Sequence, residues 1–294
     1  MHYVIGDVHG CFDEMLALIH KIEEQDADAK FIFVGDMIDR GPKVWDMLTW
    51  AMDNITKDGK YQCVMGNHEY MILMWYEAFL DWYRDDSESG EVLGMPATFY
   101  DFAERLIENE CTTPEKVWPI ITFFQGLPYS KCLDIETVWG KKVTYRIVHA
   151  CYDYQEPENS MKQRDCNITK RNYLGCPTAD EIVVHGHTPT IVHEFILKGF
   201  RSDRPGMICY RPNAINIDGG CCFLDKQTEY PCMLCAICLE NLEEIYHCDL
   251  EERFEQFEGS SYKAYKKNYL KRKSVPQKQI LRRMGKFDEM KKRL

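Results

Sequence analysis

The chain has 294 residues, 45% hydrophobic and 13% aromatic, with 36 Lys/Arg against 47 Asp/Glu and a formal net charge of −11. That length and apolar content allow one large α/β domain or two smaller ones, and make a folded, soluble enzyme the default reading. The charge is uneven: residues 259–294 hold thirteen Lys/Arg against two Asp/Glu, leaving 23 basic against 45 acidic side chains in 1–258, so the body repels nucleic acid in general and any attraction for phosphate must be local.

The first strand is expected at 3–5, directly after Met1-His2, which leaves no room for a signal peptide; no apolar run is long enough to span a bilayer. A cytoplasmic protein without a membrane span is the expectation. The strand runs into Gly6-Asp7-Val8-His9-Gly10, and a helix over 11–24 follows, with Phe12, Met15, Leu16, Ile19 and Ile22 at helical spacing. Asp13 and Glu14 fall in its first turn, where the helix dipole favours acids. The unit recurs twice. Residues 31–34 lead through Gly35-Asp36-Met37-Ile38-Asp39-Arg40-Gly41 to a helix over 44–55, and 62–65 lead through Gly66-Asn67-His68-Glu69 to a helix over 70–83. Such alternation predicts crossover connections and mainly parallel pairing.

Residues 77–125 carry no further motif; helices over 97–110 and 113–124, with a break at 85–94, describe an insertion that serves as scaffold and partial cap. Strands then return at 145–148, before His149-Ala150, and at 181–184, before Gly186-His187-Thr188-Pro189. Segments around 214–218, 232–239 and 244–248 read as a meander that closes a second sheet. Cys232, Cys235 and Cys238 have two C-x-x-C spacings, but their neighbours are apolar and no partner pair exists elsewhere, so a buried strand of reduced thiols is preferred over a zinc site. Cys221-Cys222 is read the same way. A single domain over 1–250 with the 77–125 insertion, then a basic helical tail over 251–294, is the expected organisation. In the tail, Tyr262, Tyr265 and Tyr269, then Ile280, Met284 and Phe287, form apolar stripes flanked by basic residues. Docking on the acidic body is preferred over a nucleic-acid or membrane arm.

Five strand ends thus each release Asp, Asn or His, donors suited to divalent first-row metals, and in open α/β sheets such ends converge at one edge. Asp7 and His9 are candidates for one ion, Asp36 for a bridge to both, and Asn67, His149 and His187 for the second. Two carboxylates against two divalent cations leave about two positive charges for a phosphate dianion and a hydroxide. A water between ions roughly 3.5–4 Å apart becomes acidic enough to attack phosphorus in line. His68 is the candidate general acid, Asp39 its orienting partner, and Arg40 a planar fork for phosphate oxygens. His185 neighbours this set without joining it. His20, His193 and His247 stand outside the motifs and read as ordinary surface or core side chains.

At these motifs the chain resembles the calcineurin-like metallophosphoesterases, and within them the phosphoprotein phosphatase group that includes bacterial and phage serine/threonine phosphatases. The likeness extends over 1–248. It implies a four-layered αββα sandwich of two mixed sheets flanked by helices, a dinuclear centre of the Mn²⁺ type (Fe or Zn being alternatives), and hydrolysis of phosphomonoesters in protein or small substrates without a covalent phosphoenzyme. By motif position Asp7, His9, Asp36, Asn67, His149 and His187 are its metal ligands, Asp39 and His68 its acid pair, and Arg40 its phosphate clamp. A second phosphate-binding arginine has no clear motif, and Arg171 is chosen over Arg164. The segment 217–222 is similar to one in the symmetrical diadenosine tetraphosphate hydrolases, which gives the alternative substrate class. An inactive phosphoesterase-fold binding protein is the alternative of a different kind, and the complete motif set argues against it.

Overall fold

A computed structural model describes residues 1–84, 97–158, 160–169, 181–192, 204–224, 230–255 and 275–285. The first three strands are β1 (His2–Ile5), β2 (Lys30–Phe33) and β3 (Tyr61–Cys63), joined through α1 (Phe12–Glu23) and α2 (Val44–Asn54). They pair in parallel, His2 opposite Lys30 and Phe31 opposite Tyr61. Strand alternation divides their side chains between two cores. Tyr3, Ile5, Phe31 and Phe33 face α1 and α2 with Met15, Leu18, Met47 and Leu48. Val4 and Ile32 point the opposite way, into an inter-sheet core with Tyr145, Ile147, Ile182, Val184 and Ile215.

The second sheet holds β4 (Ser130–Glu136), β5 (Lys142–Val148), β6 (Glu181–His185), β7 (Cys209–Arg211) and β8 (Ala214–Asn216), in the order β4-β5-β6-β8-β7. Strands β5, β6 and β8 run parallel, with antiparallel β4 and β7 at the edges. Here the structure corrects the expected meander. Strands β9 (Cys235–Cys238) and β10 (Glu244–Tyr246) do not join β8 but extend the first sheet, β9 lying antiparallel beside β1. All four residues of β9 are buried, as an interior strand between β1 and β10 requires, and the described cysteines are free thiols. The result is the expected sandwich of two mixed sheets flanked by helices, with its five ligand loops drawn from both sheets instead of one.

Helix α3 (Asn67–Arg84), with α4 (Ala97–Glu108) and α5 (Pro114–Gln125), extends the helical layer over the first sheet. Phe79, Phe99, Phe102, Leu106, Ile120, Ile121 and Phe124 share one core with α1 and α2, so the described parts of 77–125 pack into that core. The break at 85–94 lies outside the described residues. Three elements were not expected: β4, β7, and α6 (Met161–Thr169), whose Asn167 binds the backbone of Ala150 and Tyr129.

Near the carboxyl end, α7 (Leu250–Glu255) is followed in the described chain by α8 (Val275–Arg283). Ile280, Leu281 and Met284 are buried in the inter-sheet core. The Thr137 hydroxyl donates to the Met284 carbonyl at 2.9 Å, and Arg283 donates to the Asn213 side chain at 2.6 Å. Apolar burial at least as much as charge therefore fixes this part of the tail. Tyr262, Tyr265, Tyr269 and Phe287 lie outside the described residues. No helix among the described residues is long and apolar enough to cross a membrane.

Candidate metal centre

The loop after β2 is held in a conformation that L-residues rarely adopt. Asp36, Asp39 and Arg40 have φ of 50°, 69° and 71°, while His9 has 48° and His187 68°. Such residues cost roughly 1–3 kcal/mol each and persist only where surrounding contacts impose them. The contacts are specific. The Val8 and His9 N–H groups donate to the Asp36 carbonyl at 3.1 and 2.8 Å, and Gly10 N–H to Met37 at 2.7 Å. Gly66 sits so close that a Cβ there would strike the Asp36 backbone nitrogen and carboxylate.

Asp36 lies at the middle of the constellation. Its Oδ2 is 3.3 Å from His149 Nε2 and 3.5 Å from His9 Nε2. On one side, His149 Nε2 is 2.8 Å from Asn67 Oδ1 and 3.0 Å from His187 Nδ1, which is itself 2.7 Å from Asn67 Oδ1. On the other, His9, Asp36 and His68 bring ligand atoms within 4.8 Å of one another. Asp7 accepts the His187 N–H through Oδ2 at 2.9 Å, and its Oδ1 is buried with no hydrogen-bond partner among the described residues. All these side chains except Asn67 and His187 are buried.

This donor set fits divalent cations. His149 Nδ1 meets the Val34 carbonyl at 2.9 Å and His9 Nδ1 the Ile38 carbonyl at 2.9 Å, so both rings in their neutral form carry the proton on Nδ1 and turn Nε2 lone pairs inward. Carboxylate, amide oxygen and imidazole lone pairs then crowd together, an arrangement that needs either protons or a metal ion to relieve it. Without a metal, protons do so: burial opposes a charged His149, but Asp36 raises its pKa to about 9. Burial would raise Asp36, yet His149 and then His68 hold it well below the usual carboxylate range. Metal binding would displace those protons, since a ligating imidazole is neutral on the coordinating nitrogen.

The remaining residues gather beside these candidate ligands. His68 Nδ1 is 2.6 Å from Asp39 Oδ2, and both are almost fully buried. Burial disfavours the imidazolium, but Asp36 and then Asp39 outweigh it and raise the His68 pKa. Arg40 places Nη1 3.0 Å from His9 Nε2 and Nη2 3.1 Å from His68 Nε2. Arg164 is exposed, with its guanidinium 5.2 Å from the centre of the Tyr129 ring. Arg171 lies outside the described residues. His185 is buried next to the loop, its Nδ1 3.2 Å from the Gly186 carbonyl.

Three residues reach the site without having been singled out for it. Glu69 receives backbone N–H groups from the Asp36 loop, Cys222 Sγ lies 3.8 Å from Arg40 Nη1, and Asp218 is buried close enough to influence both Asp7 and Arg40. Burial pushes the Asp218 carboxyl up to about 7. Asp218 and Cys222 were visible in the sequence only as part of the 217–222 segment similar to the tetraphosphate hydrolases, and Cys222 also as half of a cysteine pair read as reduced thiols.

Residues 3–215 match the family model for calcineurin-like phosphoesterases. Over 71 residues the chain is 38% identical to the symmetrical bis(5'-nucleosyl)-tetraphosphatase of Escherichia coli, a match that covers 24% of each protein. The aligned part thus spans about a quarter of that relative's length. Among solved structures, a metallophosphoesterase from Sphaerobacter thermophilus aligns at 13% identity and a TM-score of 0.47, over 87% of this chain and 92% of that one. A cold-active protein-tyrosine phosphatase of a psychrophilic Shewanella aligns at 17% identity and a TM-score of 0.47, over 84% and 77%. The family match, over residues 3–215, takes in all five candidate ligand loops; the chain belongs to the calcineurin-like phosphoesterases and is a hydrolase.

Proposed function

We propose that the protein is a metal-dependent phosphomonoesterase acting on phosphoserine and phosphothreonine in proteins. The observation that carries this reading is the buried His68–Asp39 pair, 2.6 Å apart and next to both Asp36 and Arg40. An alkoxide is a poor leaving group and needs a proton as the P–O bond breaks. His68, oriented through Nδ1 by Asp39, is placed to deliver such a proton from Nε2 within the site. Two divalent ions, most simply Mn²⁺ with Fe or Zn as alternatives, would be held by Asp7, His9, Asp36, Asn67, His149 and His187 and would supply an acidified water and positive charge for a phosphate dianion. Arg40 offers two parallel N–H groups for phosphate oxygens, a geometry that lysine cannot reproduce. Arg171 is proposed as a second phosphate contact.

The local identity to a bis(5'-nucleosyl)-tetraphosphatase favours a second reading, hydrolysis of a dinucleoside tetraphosphate. A nucleoside diphosphate leaves readily without a proton, so the buried acid pair would have less to do in that reaction. Turnover of a phosphoserine peptide and of diadenosine tetraphosphate by one Mn²⁺-loaded preparation separates the two. Higher kcat/KM for the peptide upholds the first reading, and higher kcat/KM for the dinucleotide overturns it.

A further inference from the structure

Glu69 lies in the first turn of α3, two residues after Asn67, and a first-turn acid is ordinarily explained by the helix dipole. Its contacts do more than that explanation needs. The side chain is fully buried. Oε2 accepts the N–H of Asp36 at 2.9 Å and of Gly66 at 3.1 Å, while Oε1 accepts that of Met37 at 2.8 Å and a longer one from Ile38 at 3.4 Å. One carboxylate thus joins two loops from different strands, the one carrying Asp36 and the one carrying Asn67.

We propose that Glu69 is a positioning residue that locks the Asp36 and Asn67 loops into register and thereby sets the affinity of the site for divalent metal. The inference rests on the proposed metal-dependent function. Asp36 adopts its φ of 50° with its own N–H bound to Glu69, so the carboxylate meets a donor at the strained position itself. The loops are also joined directly, since the His68 N–H donates to Asp36 Oδ1 at 3.0 Å; Glu69 fixes the backbone on both sides of that bond. The shell needs an acceptor at both oxygens. Glutamine has nearly the same shape but turns an NH₂ toward backbone N–H groups, which sets donor against donor. Aspartate keeps the charge but is one methylene too short to reach both loops.

The test is titration of metal-stripped protein with Mn²⁺ by calorimetry, comparing wild type, Glu69→Gln, Glu69→Asp and Glu244→Gln. Glu244 is a fitting control: it is a partly buried carboxylate, accepting from Arg204 at 2.6 and 2.7 Å, Tyr210 at 2.9 Å and Tyr246 at 2.6 Å, and it touches no proposed ligand. Glu69→Gln should weaken Mn²⁺ binding about 10- to 100-fold, the usual cost of removing a group that orients metal ligands. Glu69→Asp should fall between, and Glu244→Gln should lose thermal stability while binding Mn²⁺ as wild type does. Wild-type affinity in folded Glu69→Gln overturns the inference, as does an equal loss in Glu244→Gln. Wild type that binds no Mn²⁺ overturns the functional reading instead. Should Glu69→Gln fail to fold, amide hydrogen exchange of the metal-free wild type decides: slow exchange at Asp36, Met37 and Gly66 upholds the clamp, and exchange at the rate of exposed loops refutes it.

Discussion

Asp36 shows how far a residue's role can be read from sequence and where that reading stops. Its motif, directly after a strand, marks it as a candidate for both ions, and the structure places its Oδ2 between His149 and His9. Asp36→Asn should therefore lower bound Mn²⁺ well below the level retained by Arg40→Ala, whose proposed contact is phosphate; metal analysis showing equal loss in both would refute the division of roles. His68 allows a sharper prediction. His68→Asn should reduce kcat on a phosphoserine peptide about 10²–10⁴-fold, the range for general acid catalysis. On p-nitrophenyl phosphate, whose phenolate departs without a proton, the loss should be much smaller with metal content near normal. Equal losses on both substrates would assign His68 to binding or positioning. Glu69 was beyond this kind of reading, because its partners in the Asp36 loop lie 31 to 33 residues away and are backbone N–H groups, which leave no mark on side-chain pattern.

Among the elements, those with a strong period were legible. Helices α1 and α2 fall within a residue of the ranges expected from their apolar spacing, and each of the five strands leading to a ligand loop is present. Strand β4 escaped notice because it is an edge strand on which only Ile135 is fully buried, so its sequence has no apolar run. Which sheet β9 joins was also hidden: an all-apolar segment announces burial on both faces but not its neighbours. The turn after β10 offers a test of pH dependence. His247 Nδ1 accepts the Leu234 N–H at 3.1 Å, and burial lowers its pKa to about 4 from an ordinary 6.5. Between those values the unfolded chain binds a proton that the folded chain does not, so stability conferred by neutral His247 is complete above pH 6.5 and lost as pH falls toward 4. The slope is at most about 1.4 kcal/mol per pH unit, less for the ring's partial exposure. Urea unfolding at pH 7 and 5.5 should show a smaller drop for His247→Gln than for wild type, and an identical drop would remove His247 from the account.

Across the whole molecule, the opposite charges of body and tail and the apolar stripe with Ile280 and Met284 suggested docking, and what the described residues show is an apolar anchor. Ile280 and Leu281 enter the core between the sheets, and Met284 contacts the Tyr145 hydroxyl. Ile280→Ala should cost about 2–5 kcal/mol in urea unfolding, as truncation of a fully buried Ile does. Mn²⁺ affinity should stay unchanged, because α8 lies away from the proposed ligands. An unaltered unfolding midpoint would mean that the helix does not contribute to the core. The same sandwich that seats this helix brings loops from two sheets together around Asp36, and the central claim is that they bind metal for phosphoester hydrolysis. That claim is tested most directly by titrating metal-stripped protein with Mn²⁺ while following p-nitrophenyl phosphate turnover. The account predicts negligible activity without metal and its return as two ions bind per chain. Full turnover by the stripped protein, or activity that does not respond to bound Mn²⁺, would contradict it.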